Sequence, residues 1–205
     1  MFDEAINDIK KAAETDIAIT NEFNTVGQKL FKQKLYGPAA VVFEVATTNP
    51  DNVNLFYDNF YMAYSIFYDH VNKSPEAQQA NVDQLKKADT ALAKVIELSP
   101  KAEDAYLYRA KVNRYIQSNP GATDAALKEE SLKTMAESYD AYIGIVTAKS
   151  AADMAKDKAN LIEAYSNAGG YYAITNKPKA IEYYNKVLAL EPNDEYAKNE
   201  LKRLQ

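Results

Sequence analysis

Side chains with catalytic or metal-binding chemistry are few in this sequence and stand alone. His70 is the single histidine and there is no cysteine, whereas a zinc site uses several such ligands. A Ser–His–Asp triad would also have to use His70, and no Gly-x-Ser-x-Gly turn supports one. The adjacent glycines of NAGGYY (167–172) lack the lysine and hydroxyl residue of a phosphate-binding loop. We therefore predict a protein that is not an enzyme and that carries no metal or cofactor.

Tyrosine is the residue type that offers a capacity for binding. The chain has 16 tyrosines among 205 residues. A tyrosine combines a large apolar ring with a polar tip, so it suits both a core and an interface. The clusters are Tyr57, Tyr61, Tyr64 and Tyr68; Tyr106, Tyr108 and Tyr115; and Tyr165, Tyr171 and Tyr172.

Composition and charge narrow the class of protein. Of the residues, 47% are hydrophobic and 26% are charged, which is enough apolar material for a core. Only 6 glycines and 7 prolines interrupt the chain, so helices are favoured. The net charge of −5 argues against nucleic acid as a partner, since phosphate binding needs a cationic face. No run of apolar residues is long enough to predict a membrane span.

A recurring apolar pattern indicates how the helices are arranged. Its residues follow one another at steps of 4 and 3 positions, which places them on one face of a helix, and a proline usually follows. Self-similarity of this kind is typical of repeat proteins. The pattern occurs as Ala39, Phe43, Ala46 and Pro50; as Ala88, Leu92, Val95 and Pro100; as Ala180, Tyr184, Val187 and Pro192; and, without the proline, as Ala5, Ile9 and Ala12.

A partner helix precedes two of these patterns. Its matching residues are Phe23, Val26, Gly27 and Leu30 in the first case, and Ala164, Ala168 and Tyr171 in the second. With these residues the sequence resembles the tetratricopeptide repeat (TPR) family, whose unit is a pair of antiparallel helices. The resemblance implies an all-α fold, a right-handed superhelical solenoid of antiparallel helix pairs.

The resemblance divides a single domain into units of unequal length. Within them we expect a loop at residues 72–79 and one continuous helix from Ala151 to Ile174. Ala197, Leu201 and Leu204 should face inward from the last helix. The predicted units are a half-repeat or capping helix at 1–17, repeats at 20–50, 52–100, 102–148 and 151–192, of which the second and third are extended, and a C-terminal capping helix at 194–205.

The function implied by the resemblance is non-catalytic protein–protein interaction. A partner peptide or helix would bind in the concave groove that the first helices of TPR units line. Register and the tyrosine clusters give the candidate contact residues: Asn24, Gln28, Phe31, Tyr57, Tyr61, Tyr64, Lys111, Arg114, Tyr165 and Tyr172.

Two further readings follow from the same residues. One TPR subtype grips a C-terminal carboxylate with a cationic clamp, but Asn24, Gln28, Asp104 and Tyr108 stand at its places, so an acidic chaperone tail is not the expected partner. The alternative function is a small-ligand or glycan-binding helical module of a bacterial envelope, because aromatic clusters suit sugar stacking.

The first residues of the sequence do not determine the cellular compartment of the protein. Ala5, Ile9 and Ala12 fit the second helix of a unit whose first helix is absent. Either a half-repeat caps the protein, or the sequence is a fragment. In the second case a signal peptide could precede it, which would favour a periplasmic or exported protein over a cytoplasmic one. An exposed half-repeat could also pair two copies of the chain, so a homodimer is a further expectation.

Overall fold

The computed structural model describes residues 2–204, with side chains from residue 4 onwards. Over this range the chain is helical and contains no strand. None of the described helices has the length and apolar character needed to cross a membrane. The helices are α1 (Phe2–Thr15), α2 (Thr20–Lys32), α3 (Tyr36–Ala46), α4 (Leu55–Val71), α5 (Pro75–Gln79), α6 (Val82–Leu98), α7 (Glu103–Ser118), α8 (Ala125–Thr147), α9 (Ala151–Lys156), α10 (Lys158–Thr175), α11 (Lys177–Leu190) and α12 (Glu195–Leu204), with a short 3-10 turn at Ile17–Ile19.

The helices form two compact units. The first unit contains the described residues up to Ala105 together with Ser118–Thr123. The second contains Tyr106–Gln117 and the described residues from Asp124 onwards. In the first unit α3 packs against α2 and α4, and α4 packs against α6; in the second, α10 packs against α8 and α11, and α11 against α12.

The predicted ladders form the core of both units. The helical residues of the three complete ladders, such as Phe43, Leu92 and Tyr184, are fully buried, whereas the prolines that follow them are exposed. Small residues opposite them let the helices approach closely. A Cβ atom on Gly27 would lie 2.6 Å from the ring of Phe43, and one on Gly169 would lie 3.1 Å from the ring of Tyr184. These glycines are therefore packing positions rather than points of flexibility.

Prolines and polar caps set the ends of several helices. Helix α6 ends at Leu98, two residues before Pro100, because a proline cannot continue the hydrogen-bond ladder. At the start of α8, Asp124 Oδ1 accepts the backbone N–H of Ala126 at 2.9 Å, and at the start of α12 Asp194 Oδ1 accepts that of Ala197 at 2.8 Å. Such caps satisfy N–H groups that lack an intrahelical partner.

The structure differs from the expected loop and the expected continuous helix. Residues 72–79 contain the short helix α5, which Pro75 opens and Ser74 caps. The helix expected from Ala151 to Ile174 is interrupted at Asp157, so α9 and α10 are separate. The Asp157 carboxylate pairs there with Lys149 Nζ at 3.2 Å, and this pairing accompanies the break.

The ladder of α1 agrees with the prediction at Ile9, which packs against the core, and differs from it on either side. Ala13 is buried with Phe23 and Val42, whereas Ala12 is only half-buried and Ala5 is exposed. Two adjacent alanines satisfy the apolar pattern equally well, so the pattern could not distinguish them. At the other end of the chain, Ala197 and Leu204 of α12 are buried and Leu201 is half-buried, as predicted.

Candidate functional site

The aromatic face of the first unit consists of Phe31, Tyr36, Phe60, Tyr61, Tyr64 and Tyr68. Helices α2, α3 and α4 position these rings. Phe31 lies at the centre: its ring stacks on Tyr64 with centroids 5.3 Å apart and meets Tyr61 edge-on at 5.6 Å. Offset and edge-to-face contacts of this kind stabilise aromatic pairs beyond their buried area. The structure therefore brings three predicted contact residues into one packed, half-buried array.

The amide side chains of α2 are bonded to a buried carboxylate. Asp58 of α4 is fully buried. Its oxygens accept hydrogen bonds from Asn24 Nδ2 at 2.6 Å and from Asn52 Nδ2 at 2.9 Å, and Gln28 Nε2 donates to Asn24 Oδ1 at 2.7 Å. Burial raises the pKa of Asp58, although the two amide hydrogen bonds act in the opposite direction. Asn24 thus joins α2 to α4, and Gln28, one turn further along α2, holds the Asn24 amide in place.

An aromatic pocket of about 330 Å³ opens beside this face. One wall is the α4 segment with Phe56, Tyr57, Phe60 and Tyr61, and the other is residues 101–105. The side chain of Tyr57 is 56% exposed, one of the highest exposures of a large hydrophobic residue among those described. The pocket therefore offers apolar ring surface to a ligand in solution.

A wider groove of about 860 Å³ in the same unit has a different character. It lies between α3, α4 and α6, and both lysines and acids line it. Lys87 Nζ pairs with Glu44 Oε1 at 2.5 Å, and Lys86 Nζ pairs with Asp83 at 3.2 Å. These charges already have partners of opposite sign, so the groove presents little unbalanced charge. Sequence reasoning named none of its residues as contacts.

In the second unit, Lys111 and Arg114 converge on Glu163. Lys111 Nζ lies 3.1 Å and Arg114 Nη1 lies 3.5 Å from the Glu163 carboxylate, and the Tyr139 hydroxyl donates to Glu163 Oε1 at 3.0 Å. Burial, reinforced by the negative charge of Glu163, raises the pKa of Tyr139 well above its usual value. Helices α7, α8 and α10 are joined by this group, which we call the Glu163 cluster.

Asp140 holds a second group, the Asp140 cluster, with Tyr172, Lys179 and Tyr183. The hydroxyls of Tyr172 and Tyr183 donate to its two oxygens at 2.5 and 2.7 Å, and Lys179 Nζ lies 2.5 Å from Oδ2. The ammonium also lies 3.9 Å from the centroid of the Tyr172 ring. Burial is the largest single influence and acts to lower the pKa of Lys179, but the hydrogen bonds and charges of Asp140 and Tyr172 together outweigh it, so the pKa is raised.

Tyr165 is placed in the core of the second unit. Its side chain is 6% exposed, and its ring meets that of Tyr183 with centroids 5.2 Å apart. Sequence reasoning missed Asp58 and Asp140, around which the polar groups assemble. Each is a lone charge inside an aromatic run, FYDNFY for Asp58 and SYDAYI for Asp140, and that is the local signal that could have identified them.

His70 lies in the last turn of α4 and is buried. Its Nδ1 is 3.3 Å from Asn81 Nδ2. Burial, with a contribution from Lys73, lowers the pKa of His70, while Asp69 opposes this shift. Among residues 2–204 no group of three or more potential ligand side chains is placed to hold a metal ion.

The packing of helix pairs defines the class of fold, which is all-α and TPR-like. The sequence matches no protein-family model and no curated protein sequence. Similar folds are found instead among solved structures.

Two crystal structures illustrate the likeness. The C-terminal part of a TPR repeat-containing protein from Cytophaga hutchinsonii is 22% identical with a TM-score of 0.60, over 96% of this chain and 66% of that one. The chain therefore spans slightly less than two thirds of that structure. A structure of the MamA protein is 15% identical with a TM-score of 0.60, over 91% of this chain and 81% of that one. At these identities the likeness establishes the fold.

Proposed function

We propose that the protein is a non-catalytic protein–protein interaction module and that the aromatic face and pocket of the first unit bind a partner peptide or helix. The observation that carries the proposal is the pocket of about 330 Å³. It borders an array of packed rings, and more than half of the Tyr57 side chain is exposed there. TPR-like folds serve protein–protein interaction in general, which supports the same function.

The physical basis is preorganisation. Binding residues that are already held in place lose little conformational entropy when a partner arrives. Tyr61 is stacked on Phe43 with ring centroids 5.6 Å apart, and Tyr64 is stacked on both Phe31 and Phe60. Large rings of this kind are enriched among the residues that dominate binding energy at interfaces. In this proposal Asn24 and Gln28 keep α2 and α4 in register.

The candidate contact residues of the second unit are less suited to contacting a partner, and in this proposal they mainly support the structure of that unit. Lys111 and Arg114 are paired with Glu163, and Tyr172 is bonded to Asp140. A partner that contacted these groups would have to replace existing hydrogen bonds, which costs free energy. Tyr165 presents little surface because it is buried.

A random peptide display library tests the proposal. Peptides selected by the wild-type protein should lose affinity by about tenfold or more for Tyr57→Ala, since exposed aromatic anchors are common hot spots. The matched control is Tyr196→Ala, which removes a ring of similar exposure, 53%, from the second unit. Circular dichroism checks that both variants fold. Equal binding by the two variants, or no selected peptide at all, would contradict the assignment.

The same pocket also favours the second candidate function, small-ligand or glycan binding. Its volume of about 330 Å³ lies at the lower end of the range for ligand sites, and Tyr57 offers an open ring for sugar stacking. A thermal-shift screen with oligosaccharides distinguishes the two candidates, because a ligand that binds only the folded state raises the melting temperature of the protein.

The homodimer that the sequence suggested is a separate prediction. Light scattering measures whether two copies of the chain associate.

A further inference from the structure

A small pocket of about 190 Å³ lies within the second unit, lined by residues of α7, α8, α10 and α12. We propose that this pocket, called the Ile174 pocket, binds a neutral carboxamide, the side chain of a glutamine or asparagine in a partner segment. It belongs to a different unit from the aromatic pocket, so the inference does not depend on the proposed function. The hydrogen-bonding groups of the pocket, its charge and its apolar rim support this occupant.

The Ile174 pocket collects polar side chains that lack hydrogen-bond partners. Among the described residues, nothing bonds to the Gln117 amide or to the Ser166 hydroxyl. Asn167 Nδ2 donates to the backbone oxygen of Glu163 at 2.8 Å, but no described donor reaches its Oδ1. All three polar side chains of the pocket are half-buried. A ligand that enters displaces their water and must replace the hydrogen bonds that are lost.

The three side chains offer donors and acceptors together. The Gln117 amide has one acceptor oxygen and two N–H donors, the Ser166 hydroxyl can donate and accept, and Asn167 Oδ1 accepts. A carboxylate ligand only accepts hydrogen bonds and an ammonium only donates them, so each would leave part of this set unpaired. A carboxamide carries both kinds of group and can satisfy the set.

The charge that lines the pocket is already engaged. Arg114 is the one charged residue among the described lining residues. Its Nη1 lies 3.5 Å from Glu163 Oε1, the oxygen that also accepts the Tyr139 hydroxyl at 3.0 Å. An anionic ligand would have to compete with Glu163 for the guanidinium, whereas a neutral ligand leaves these contacts in place.

An apolar rim of fixed shape surrounds the polar groups. The side chains of Ile174 and Tyr196 are 80% and 53% exposed, so they offer apolar surface to the methylene stem of an entering side chain. The Tyr196 ring meets that of buried Tyr184 edge-on, with centroids 5.9 Å apart. A volume of about 190 Å³ lies below the range for whole small-molecule ligands. The pocket therefore suits one side chain of a longer partner.

Capped alanine-based pentapeptides with one variable central residue test the inference. The central residue is glutamine, asparagine, glutamate or methionine, so that a carboxamide is compared with a charged group and an apolar group of similar length. Methyl signals of Ile174, assigned with Ile174→Val, report binding by nuclear magnetic resonance. We expect saturable shifts with glutamine or asparagine at concentrations about tenfold lower than with glutamate or methionine.

Variants of the pocket wall provide the second part of the test. Gln117→Met should weaken binding of the preferred carboxamide probe about threefold or more, because it keeps the length of the side chain and removes the amide. Ser166→Ala should act in the same direction. Gln33→Met is the matched control, since it makes the same exchange at an exposed position of the first unit and should leave binding unchanged. Circular dichroism checks that all three variants fold.

The possible outcomes are distinct from those of the proposed function. The inference is overturned by equal responses to glutamine and methionine, by a stronger response to glutamate, or by the absence of a saturable Ile174 shift with every probe. Unchanged binding by both wall variants would overturn it as well. None of these results concerns the aromatic pocket, which Tyr57→Ala tests. A display-selected peptide that loses affinity with Tyr196→Ala, but not with Tyr57→Ala, would support the Ile174 pocket and contradict the proposed site.

Discussion

The two units use tyrosine differently. In the first unit the rings contact one another, as where Tyr64 stacks on Phe31 and Phe60. In the second unit rings also meet, but hydroxyls in addition donate to carboxylates, since Tyr139 donates to Glu163 and Tyr183 donates to Asp140. A count of aromatic residues does not distinguish these uses. The ring array of the first unit leaves apolar surface that a partner can contact. The hydroxyls of Tyr139 and Tyr183 in the second unit are already hydrogen-bonded within that unit.

The comparison predicts where each unit is vulnerable. Removing Asp140 should damage the second unit more than removing a carboxylate with one ion-pair partner damages the first, since three donors depend on Asp140. Removing ring surface should affect binding by the first unit more than its stability.

Asp140→Ala should lower the free energy of unfolding of the second unit by about 3 kcal/mol. The substitution leaves the Lys179 ammonium and two tyrosine hydroxyls without their acceptor, and half-buried donors to a charged group are costly to abandon. Urea unfolding measures the loss. The matched control is Asp69→Ala in the first unit, whose partly exposed pair with Lys73 should contribute less than about 0.5 kcal/mol. Equal losses in the two variants would remove the distinction between the units.

Gly27→Ala should destabilise the first unit by about 2 kcal/mol. The new methyl group would overlap the buried ring of Phe43, whose nearest atom lies 2.6 Å from the added Cβ. Gly169→Ala in the second unit should cost less, because the ring of Tyr184 is 3.1 Å away. Thermal unfolding of both variants measures the order. Gly144→Ala serves as the control: nothing lies within 4 Å of its added Cβ, so helix propensity should stabilise it by about 0.5–1 kcal/mol.

Tyr183→Phe should cost about 1.5 kcal/mol, whereas Tyr61→Phe should cost less than about 0.5 kcal/mol. The first change removes a 2.7 Å hydrogen bond to the Asp140 carboxylate, and bonds to charged groups contribute more than neutral ones. The second retains the ring that stacks on Phe43. Denaturant unfolding of the pair measures the difference. A larger loss for Tyr61→Phe would show that the first unit also depends on its hydroxyls.

The smallest expected effect is the pH dependence of the stability of the first unit. Because the pKa of buried His70 lies below its usual value of about 6.5, the unfolded chain binds a proton more readily than the folded one. The neutral His70 side chain therefore contributes fully to the free energy of unfolding above about pH 6.5. This contribution is lost as the pH falls through the pKa that His70 has in the folded state. The protection factors of the α4 amides, which correct for the pH dependence of intrinsic exchange, should therefore fall on acidification more in the wild type than in His70→Gln. Identical pH profiles would contradict a titrating role for His70.

The helical ladders could be predicted from the sequence, and the polar clusters could not. The positions of Ala180, Tyr184 and Val187 follow from the period of a helix, which is a local property. The partners of Asp140 stand 32, 39 and 43 residues away along the chain. Their meeting depends on how three helices pack, which no short pattern specifies. For the same reason the register that named Tyr165 as a contact did not reveal that its ring faces Tyr183.

The buried tyrosines of the second unit have a consequence in strong alkali. Burial raises the pKa of Tyr139, Tyr183 and Tyr184 far above the usual value of about 10. Below pH 10 both folded and unfolded chains keep these protons, but above it only the unfolded chain can release them, so stability is lost as the pH rises. Their phenolate absorbance should therefore appear together with unfolding, in one cooperative step.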